Sequence, residues 1–253
     1  EKDIYGYRYQ PEKSSIKEVS GLSESFGVNV KVVQDLLREV ETKQRELHES
    51  HLEILRNQIN PHFLYNTLDS IVWMCKMGKA DEAAEMTSAL AKLFRVGISR
   101  GKKLILVAKE AEHAESYLKI QSMRFKSKFD YTMDISPEAL ACRCNKIILQ
   151  PFIENSIKHG IIEGEKLHIS VKGRVSEKDL ILTVADDGCG ISAEKLEKIR
   201  AGNCETMGIG IKNVDLRIKM CFGEEYGVSV DSVEDEGTTI TLRLPRTTEE
   251  KQE

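Results

Sequence analysis

The chain has 253 residues, of which 40% are hydrophobic and 31% are charged, so it is long enough for two domains and polar enough to expose much helical surface. Its formal net charge is −4, and this acidic balance argues against nucleic-acid binding. No stretch approaches the roughly 18 apolar residues that a membrane span needs. We therefore expect any membrane anchor to lie before residue 1.

Apolar residues recur every seven positions in the N-terminal part of the chain, at Phe26, Val33, Val40, Leu47 and Ile54. Val30 and Leu37 fill the second core position of the heptad, which predicts a left-handed two-stranded coiled coil. Gln44, His51 and Gln58 occupy that position further on, so the seam weakens towards its end. A single amphipathic helix with a solvated face is the alternative interpretation.

Three helices are predicted next, over residues 63–76, 81–99 and 109–125. Pro61 should disturb the helix before the first of them, because proline lacks the amide hydrogen. Asp81 is the predicted N-cap of the second helix. The first two helices form a hairpin that cannot bury its apolar stripes alone, so we expect a homodimer with a four-helix bundle.

The hydrophobic period changes from residue 129 onwards. Alternating patterns predict strands at 129–135, 167–171, 180–184, 228–233 and 239–244. Helical patterns lie between them at 145–160, 192–200 and 210–221. This order predicts an α+β layer in which helices cover one face of a sheet built from antiparallel hairpins.

The helix predicted over 145–160 separates apolar from polar side chains. Its buried stripe comprises Leu149, Ile153 and Ile157. The opposite side carries an amide, an ammonium and an imidazole, from Asn155, Lys158 and His159. An amide oxygen suits Mg²⁺, and cationic donors suit polyphosphate. An ordinary solvated polar face is the alternative.

Two glycine-rich segments follow. In the first, Asp187-Gly188-Cys189-Gly190, a carboxylate near a strand end needs a partner, which an adenine amino group would supply. In the second, Gly208-Ile209-Gly210 opens a helix whose N-terminus would favour phosphate. The Rossmann and P-loop motifs are absent from the sequence, which excludes those nucleotide folds.

The order of these segments resembles that of the sensor histidine kinases. The five matching segments are QINPHFLYN at 58–66, ENSIKHG at 154–160, DGCG at 187–190, GIGIKN at 208–213 and GTT at 237–239. They look like the H, N, G1, G2 and terminal Gly-Thr boxes of that family, and the first has the form of its LytS/YesM-type branch. The resemblance covers about residues 20–247, and Glu18-Val19 resembles the end of a HAMP signalling module.

The resemblance implies a role for each matching residue. His62 would accept the phosphoryl group, and Asn155 would ligate Mg²⁺. Lys158 and His159 would approach the phosphates of ATP, and Asp187 would bind the adenine amino group. The remaining residues of the implied ATP site are Gly188, Gly190, Gly208, Gly210, Asn213 and Thr239, with residues 203–207 as a mobile lid.

One position departs from the pattern of the more common histidine kinases, which carry an acidic proton acceptor directly after the histidine. Here Phe63 follows His62. Glu154, beside Asn155, is the candidate proton acceptor, and Asn66, one turn after His62, is a candidate orienting group.

We predict an α+β protein with three parts: a linker and signalling coil over 1–48, dimerisation and phosphotransfer helices over 49–127, and a Bergerat-type ATP-binding α/β sandwich over 128–248. The implied activity is ATP-dependent autophosphorylation of His62, followed by transfer to an aspartate of a response regulator receiver domain. The implied setting is the cytoplasmic portion of a bacterial membrane protein. An ATPase or serine kinase of the same nucleotide fold, and a non-catalytic dimeric scaffold, are the alternatives.

Overall fold

The computed structural model describes residues 31–33, 35, 37, 61–97, 104–125, 128–161, 164–200 and 209–248. The chain divides into two compact units, residues 1–62 and 63–253. In the first unit, residues 31–33, 35 and 37 are helical, and the Val33 and Leu37 side chains are exposed. The rest of the predicted heptad seam, the HAMP-like segment, Gly208 and the predicted lid lie outside the described residues.

The helical hairpin is formed by α1 (Pro61–Lys76) and α2 (Ala80–Gly97). Their connection contains Gly78, whose φ of 73° is the left-handed conformation that glycine adopts readily. Helix α2 begins at Ala80, so the prediction of Asp81 as the N-cap was wrong. The Asp81 carboxylate lies in the first turn instead, where it interacts favourably with the helix dipole.

A short strand and a long helix connect the hairpin to the sheet. Strand β1 (Leu104–Leu106) leads directly into α3 (Val107–Phe125), which begins two residues before the predicted start at 109. After β2 (Phe129–Ile135) and the short α4 (Pro137–Leu140) comes β3 (Arg143–Asn145). Strands β1 and β3 pair antiparallel in a small second sheet that the sequence pattern did not predict.

The main sheet has five strands in the order β2-β4-β5-β7-β6, with β4 at Leu167–Val175, β5 at Asp179–Asp186, β6 at Gly227–Val233 and β7 at Gly237–Pro245. The β2–β4 pair is parallel, and the other three pairs are antiparallel. Fully buried side chains alternate along the strands, for example Leu180 and Leu182 on β5 and Leu242 and Leu244 on β7. One face of the sheet therefore carries the core, which confirms the predicted α+β class.

Three further helices belong to this half of the chain: α5 (Gln150–Gly160), α6 (Ala193–Arg200) and α7 (Ile209–Phe222). The prediction that α5 starts at Asn145 was wrong, because Asn145 pairs with Leu104 in the small sheet and Ile147 has a φ of 56°. No helix in the described ranges is long and apolar enough to cross a membrane.

Candidate functional site

Helix α5 presents the predicted site residues as the sequence pattern requires. Its stripe of Leu149, Ile153 and Ile157 is buried. On the other side, Glu154 and Asn155 are half-buried, whereas Lys158 and His159 are exposed. The helix therefore places the Asn155 amide and the Glu154 carboxylate at the boundary between core and solvent. That boundary is where a ligand of mixed polarity binds.

The end of β5 meets α5 through a carboxylate. Asp186 is half-buried, and its Oδ2 accepts a hydrogen bond from the Ser156 hydroxyl of α5 at 2.6 Å. Its Oδ1 accepts from the Gly188 amide at 3.2 Å. Because a carboxylate has about four acceptor positions, these two bonds leave Asp186 with capacity for a further donor.

The neighbouring Asp187, which the resemblance assigned to adenine, points elsewhere. Its side chain is exposed, and its Oδ1 accepts from the backbone amide of His168 on β4 at 2.6 Å. The Asp187 amide in turn lies 3.4 Å from the His168 carbonyl oxygen, to which it donates. These contacts fasten the start of the glycine turn to β4.

The glycines of this turn are required by close approaches within the protein. A Cβ on Gly188 would lie 2.5 Å from the Gly160 Cα at the end of α5. A Cβ on Gly190, which has a φ of 64°, would lie 2.0 Å from the Val233 carbonyl oxygen. The turn is therefore packed between α5 and the β6–β7 connection. A Cβ on Gly210, in the first turn of α7, would lie 3.3 Å from the Pro151 Cβ in the first turn of α5.

Strand register separates the two threonines after Gly237. Thr238 pairs with Asp186, and its hydroxyl lies 3.0 Å from that of Ser232. Thr239 pairs with Ala185. Because side chains alternate along a strand, Thr239 lies on the sheet face opposite to Asp186 and the helices. The structure thus brings Thr238, rather than Thr239, to the Asp186 side.

The charge of His159 on α5 depends on its surroundings. Partial burial, followed by the charges of Lys158 and Lys195, lowers the pKa of His159 below its usual value. The lowered pKa favours the neutral form of the His159 ring. The predicted site residue Asn213 lies exposed on α7.

The candidate phosphoacceptor lies on α1. His62 is exposed, and Asn66, one turn further along the helix, is half-buried. The Asn66 carbonyl accepts a hydrogen bond from the Ser70 hydroxyl at 2.7 Å. His62 belongs to the first compact unit and the nucleotide-site residues to the second.

A set of polar residues on α3 was missed by the sequence analysis. Glu110, His113 and Gln121 are buried, and Tyr117 is 2% exposed. The sequence shows their helical spacing, which continues to Arg124. Taken alone, this spacing would have indicated a solvated face, so it could not have revealed that the side chains are buried.

Family comparisons agree with this arrangement. Residues 50–129 match the family described as histidine kinase, and residues 146–248 match the family of histidine kinase-, DNA gyrase B- and HSP90-like ATPases. The matches define an ATP-binding domain of this class that follows a histidine kinase segment.

Similarity to individual proteins identifies the family more specifically. The chain is 33% identical over 229 residues to the sensor histidine kinase YesM of Bacillus subtilis, which spans 90% of this chain and 39% of that protein. It is 30% identical to the sensor histidine kinase BtsS of Escherichia coli K12 (84% and 36%) and 27% identical to the sensor protein LytS of Bacillus anthracis (92% and 39%). The chain belongs to the sensor histidine kinase family and spans about two fifths of the length of these relatives.

Two histidine kinase structures are among the solved structures that resemble the chain. The catalytic domain of the histidine kinase ThkA is 18% identical, with a TM-score of 0.45 over 57% of this chain and 95% of that one. The histidine kinase domain of the Erythrobacter litoralis EL346 blue-light activated histidine kinase is 14% identical, with a TM-score of 0.44 over 81% and 94%.

Proposed function

We propose that this chain is the kinase portion of a sensor protein and that it phosphorylates His62 with ATP. The observation that carries the proposal is the meeting of α5 and β5: Asp186 is held by Ser156 and Gly188, beside the half-buried Glu154 and Asn155. A half-buried carboxylate with free acceptor capacity suits the adenine amino group. The amide oxygen of Asn155 is a hard ligand that fits Mg²⁺.

The two carboxylates at the glycine turn are not equivalent candidates for adenine. The assignment to Asp187 rests on the resemblance alone, whereas the contacts of Asp186 support it as the adenine-binding residue. Thr238, which pairs with Asp186, is likewise supported over Thr239. Lys158 is the candidate phosphate ligand because the lowered pKa of His159 favours its neutral form.

In the proposed reaction a ring nitrogen of His62 attacks the γ-phosphorus of ATP, the bond from that phosphorus to the bridging oxygen breaks, and ADP leaves. The phosphorylated ring then loses the proton on its other nitrogen, and Glu154 is the candidate acceptor. Mg²⁺, when bound, neutralises charge on the phosphates. Because such transfers need positioning more than covalent help, the absence of an acid directly after His62 is compatible with activity.

The exposed side of α1 supports a homodimer. Tyr65, Leu68 and Val72 are 68%, 44% and 51% exposed and follow one another at helical spacing. An apolar stripe of this kind on a helix marks a protein interface. A second copy of the same helix would cover it by two-fold symmetry, as in a four-helix bundle.

The homodimer would pass its phosphoryl group to an aspartate of a response regulator, from the cytoplasmic side of a membrane.

The test is autophosphorylation with γ-labelled ATP. The wild-type chain should acquire label that is lost in acid and retained in alkali, which distinguishes phosphohistidine from phosphoserine. His62→Gln should abolish the label while ATP affinity, measured by calorimetry, stays within a few-fold. Acid-labile label retained in His62→Gln would refute the assignment of His62.

A further inference from the structure

Helix α3 carries a continuous stripe of polar side chains along its buried side. The stripe residues follow one another at intervals of three or four, at Glu110, His113, Tyr117, Gln121 and Arg124. The first four are buried and Arg124 is half-buried. Buried polar groups need partners, and most partners of this stripe come from the segment before α5 and from α5 itself.

The first member fixes the start of α5. Glu110 is fully buried, and its carboxylate accepts hydrogen bonds from the amides of Ile147, Ile148 and Leu149 at 2.8, 2.7 and 2.9 Å. Leu149 is the N-cap of α5 and has no side chain that can cap it. Glu110 therefore supplies, from another helix, the negative charge and the acceptor that a helix N-terminus requires.

The second member connects three helices. His113 is 3% exposed, and its Nδ1 lies 3.1 Å from the carbonyl oxygen of Leu93 on α2, to which it donates. Its Nε2 lies 2.7 Å from the side-chain oxygen Oε1 of Gln150, the first residue of α5. The imidazole thus joins the hairpin helix α2 to the helix that carries Glu154 and Asn155.

The third member packs against α1. The Tyr117 ring stacks on Phe63 of α1 with centroids 5.1 Å apart, and its hydroxyl accepts from Gln121 at 2.8 Å. Burial, followed by the nearby charge of Glu154, raises the pKa of Tyr117 well above its usual range. Tyr117 thus connects Phe63, the residue after His62, to the surroundings of Glu154.

These contacts advance in step along both helices. Glu110 meets residues 147–149, and His113 meets Gln150. A movement of α3 relative to α5 would strain several of them together. Among them, the His113 bridge is the one that touches α2 and α5 at once.

We propose that His113 is a positioning residue for phosphoryl transfer, which sets the place of Glu154 and Asn155 relative to the helical hairpin through Gln150 and Leu93. The inference rests on the proposed function. A buried histidine whose bonds merely stabilise the core would affect ATP binding and stability. A positioning residue would affect the transfer rate while ATP still binds.

The experiment compares five variants of the chain: Gln150→Leu, His113→Leu, the double variant that combines these two, His113→Gln and the control Glu115→Gln. The control changes an exposed residue of the same helix. For each, the fraction folded is followed by circular dichroism, ATP affinity by calorimetry, and phosphorylation of His62 under single-turnover conditions. Gln150→Leu removes only the link to α5 and leaves the bond from His113 to Leu93.

We expect Gln150→Leu and His113→Leu to slow transfer about tenfold or more while the Kd for ATP changes less than about threefold, because displacement of reacting groups by about 1 Å lowers rates by such factors. The double variant should be no slower than His113→Leu, since that substitution already removes both ends of the bridge. His113→Gln should recover part of the rate, because a glutamine amide can donate to Leu93. Glu115→Gln should match the wild type.

A transfer rate that is unchanged, or that falls only in proportion to ATP affinity or to the folded fraction, would overturn the inference. If His113→Leu does not fold, Gln150→Leu decides alone. Absence of acid-labile label in the wild-type chain would instead overturn the proposed function itself, so the two failures are distinguishable.

Discussion

The helical hairpin and the five-stranded sheet differ in the exposure of their apolar side chains. In the sheet, Leu182 and Leu242 are completely buried, as is most of the apolar face. On α1, by contrast, Tyr65 and Val72 are each more than half exposed. The sheet and its helices form a hydrophobic core within one chain. The hairpin, in contrast, has an apolar surface that no described residue buries. In the function we propose, the sheet and its helices bind the nucleotide, and the hairpin packs against a second copy of the chain.

The largest effect should follow from charging the exposed stripe of α1. Leu68→Glu combined with Val72→Glu places two carboxylates where we propose that a second copy packs, and buried unpaired charges prevent association. We expect a monomer by light scattering, with ATP affinity unchanged. Met220→Glu is the matched control, because Met220 is 86% exposed on α7 of the sheet half and should leave the dimer intact. A dimer that persists in the double variant would contradict the assigned interface.

The second prediction compares two glycines with similar backbone angles in the two regions. Gly78, in the hairpin connection, has a φ of 73° and open space around its Cβ position, whereas Gly190, with a φ of 64°, faces a carbonyl oxygen. Gly78→Ala should cost about 1 kcal/mol from the left-handed backbone alone. Gly190→Ala should lower the free energy of unfolding by about 1–3 kcal/mol more, because the backbone around Val233 must move. Urea unfolding of both variants measures the difference, and equal losses would contradict it.

The sequence predicted the described helices and most strands because each has a clear period of its own. Helix α5 shows where that approach fails. The pattern over 145–160 is helical throughout, but a carboxylate from α3 and a strand partner from β1 hold residues 145–149 out of the helix. Such contacts are distant in the sequence, so no local pattern predicts them.

The candidate site shows the same limit. The motif located the glycine turn correctly, but the sequence alone cannot decide which of the two adjacent aspartates is the better candidate for adenine. The strand register and the bond to Ser156 distinguish them. The polar stripe of α3 was missed for a related reason: polar residues at helical spacing usually face solvent, and only the packing of α2 and α5 reveals that these do not.

The third prediction separates the two aspartates. Asp186→Asn should weaken ATP binding about 10- to 100-fold, because a charged acceptor contributes about 1.5–3 kcal/mol to a hydrogen bond. Asp187→Asn should weaken it less than about threefold, since the asparagine oxygen can still accept from His168. Calorimetry gives both affinities, and circular dichroism checks that Asp186→Asn keeps its fold after its bonds to Ser156 and Gly188 change. A larger loss in Asp187→Asn would restore the assignment made from the motif.

The smallest effect concerns the exposed end of α5. Partial burial and then the charges of Lys158 and Lys195 lower the pKa of His159 in the folded chain, so the unfolded chain binds this proton more readily. The contribution of the neutral ring is therefore fully present above the unfolded pKa, about 6.5, and is lost as the pH falls below it.

His159→Gln should remove that acid-side loss, so the difference in unfolding midpoint between the variant and the wild type should be constant from pH 7 to 8 and should change in favour of the variant towards pH 5. Lys195→Gln should reduce the loss in the wild-type background, because it removes one of the repelling charges. The ATP affinity of the wild type should be the same at pH 7 and pH 8, with no step that disappears in His159→Gln. Such a step would mean that the ring is charged when nucleotide binds and that His159, together with Lys158, contacts the phosphates.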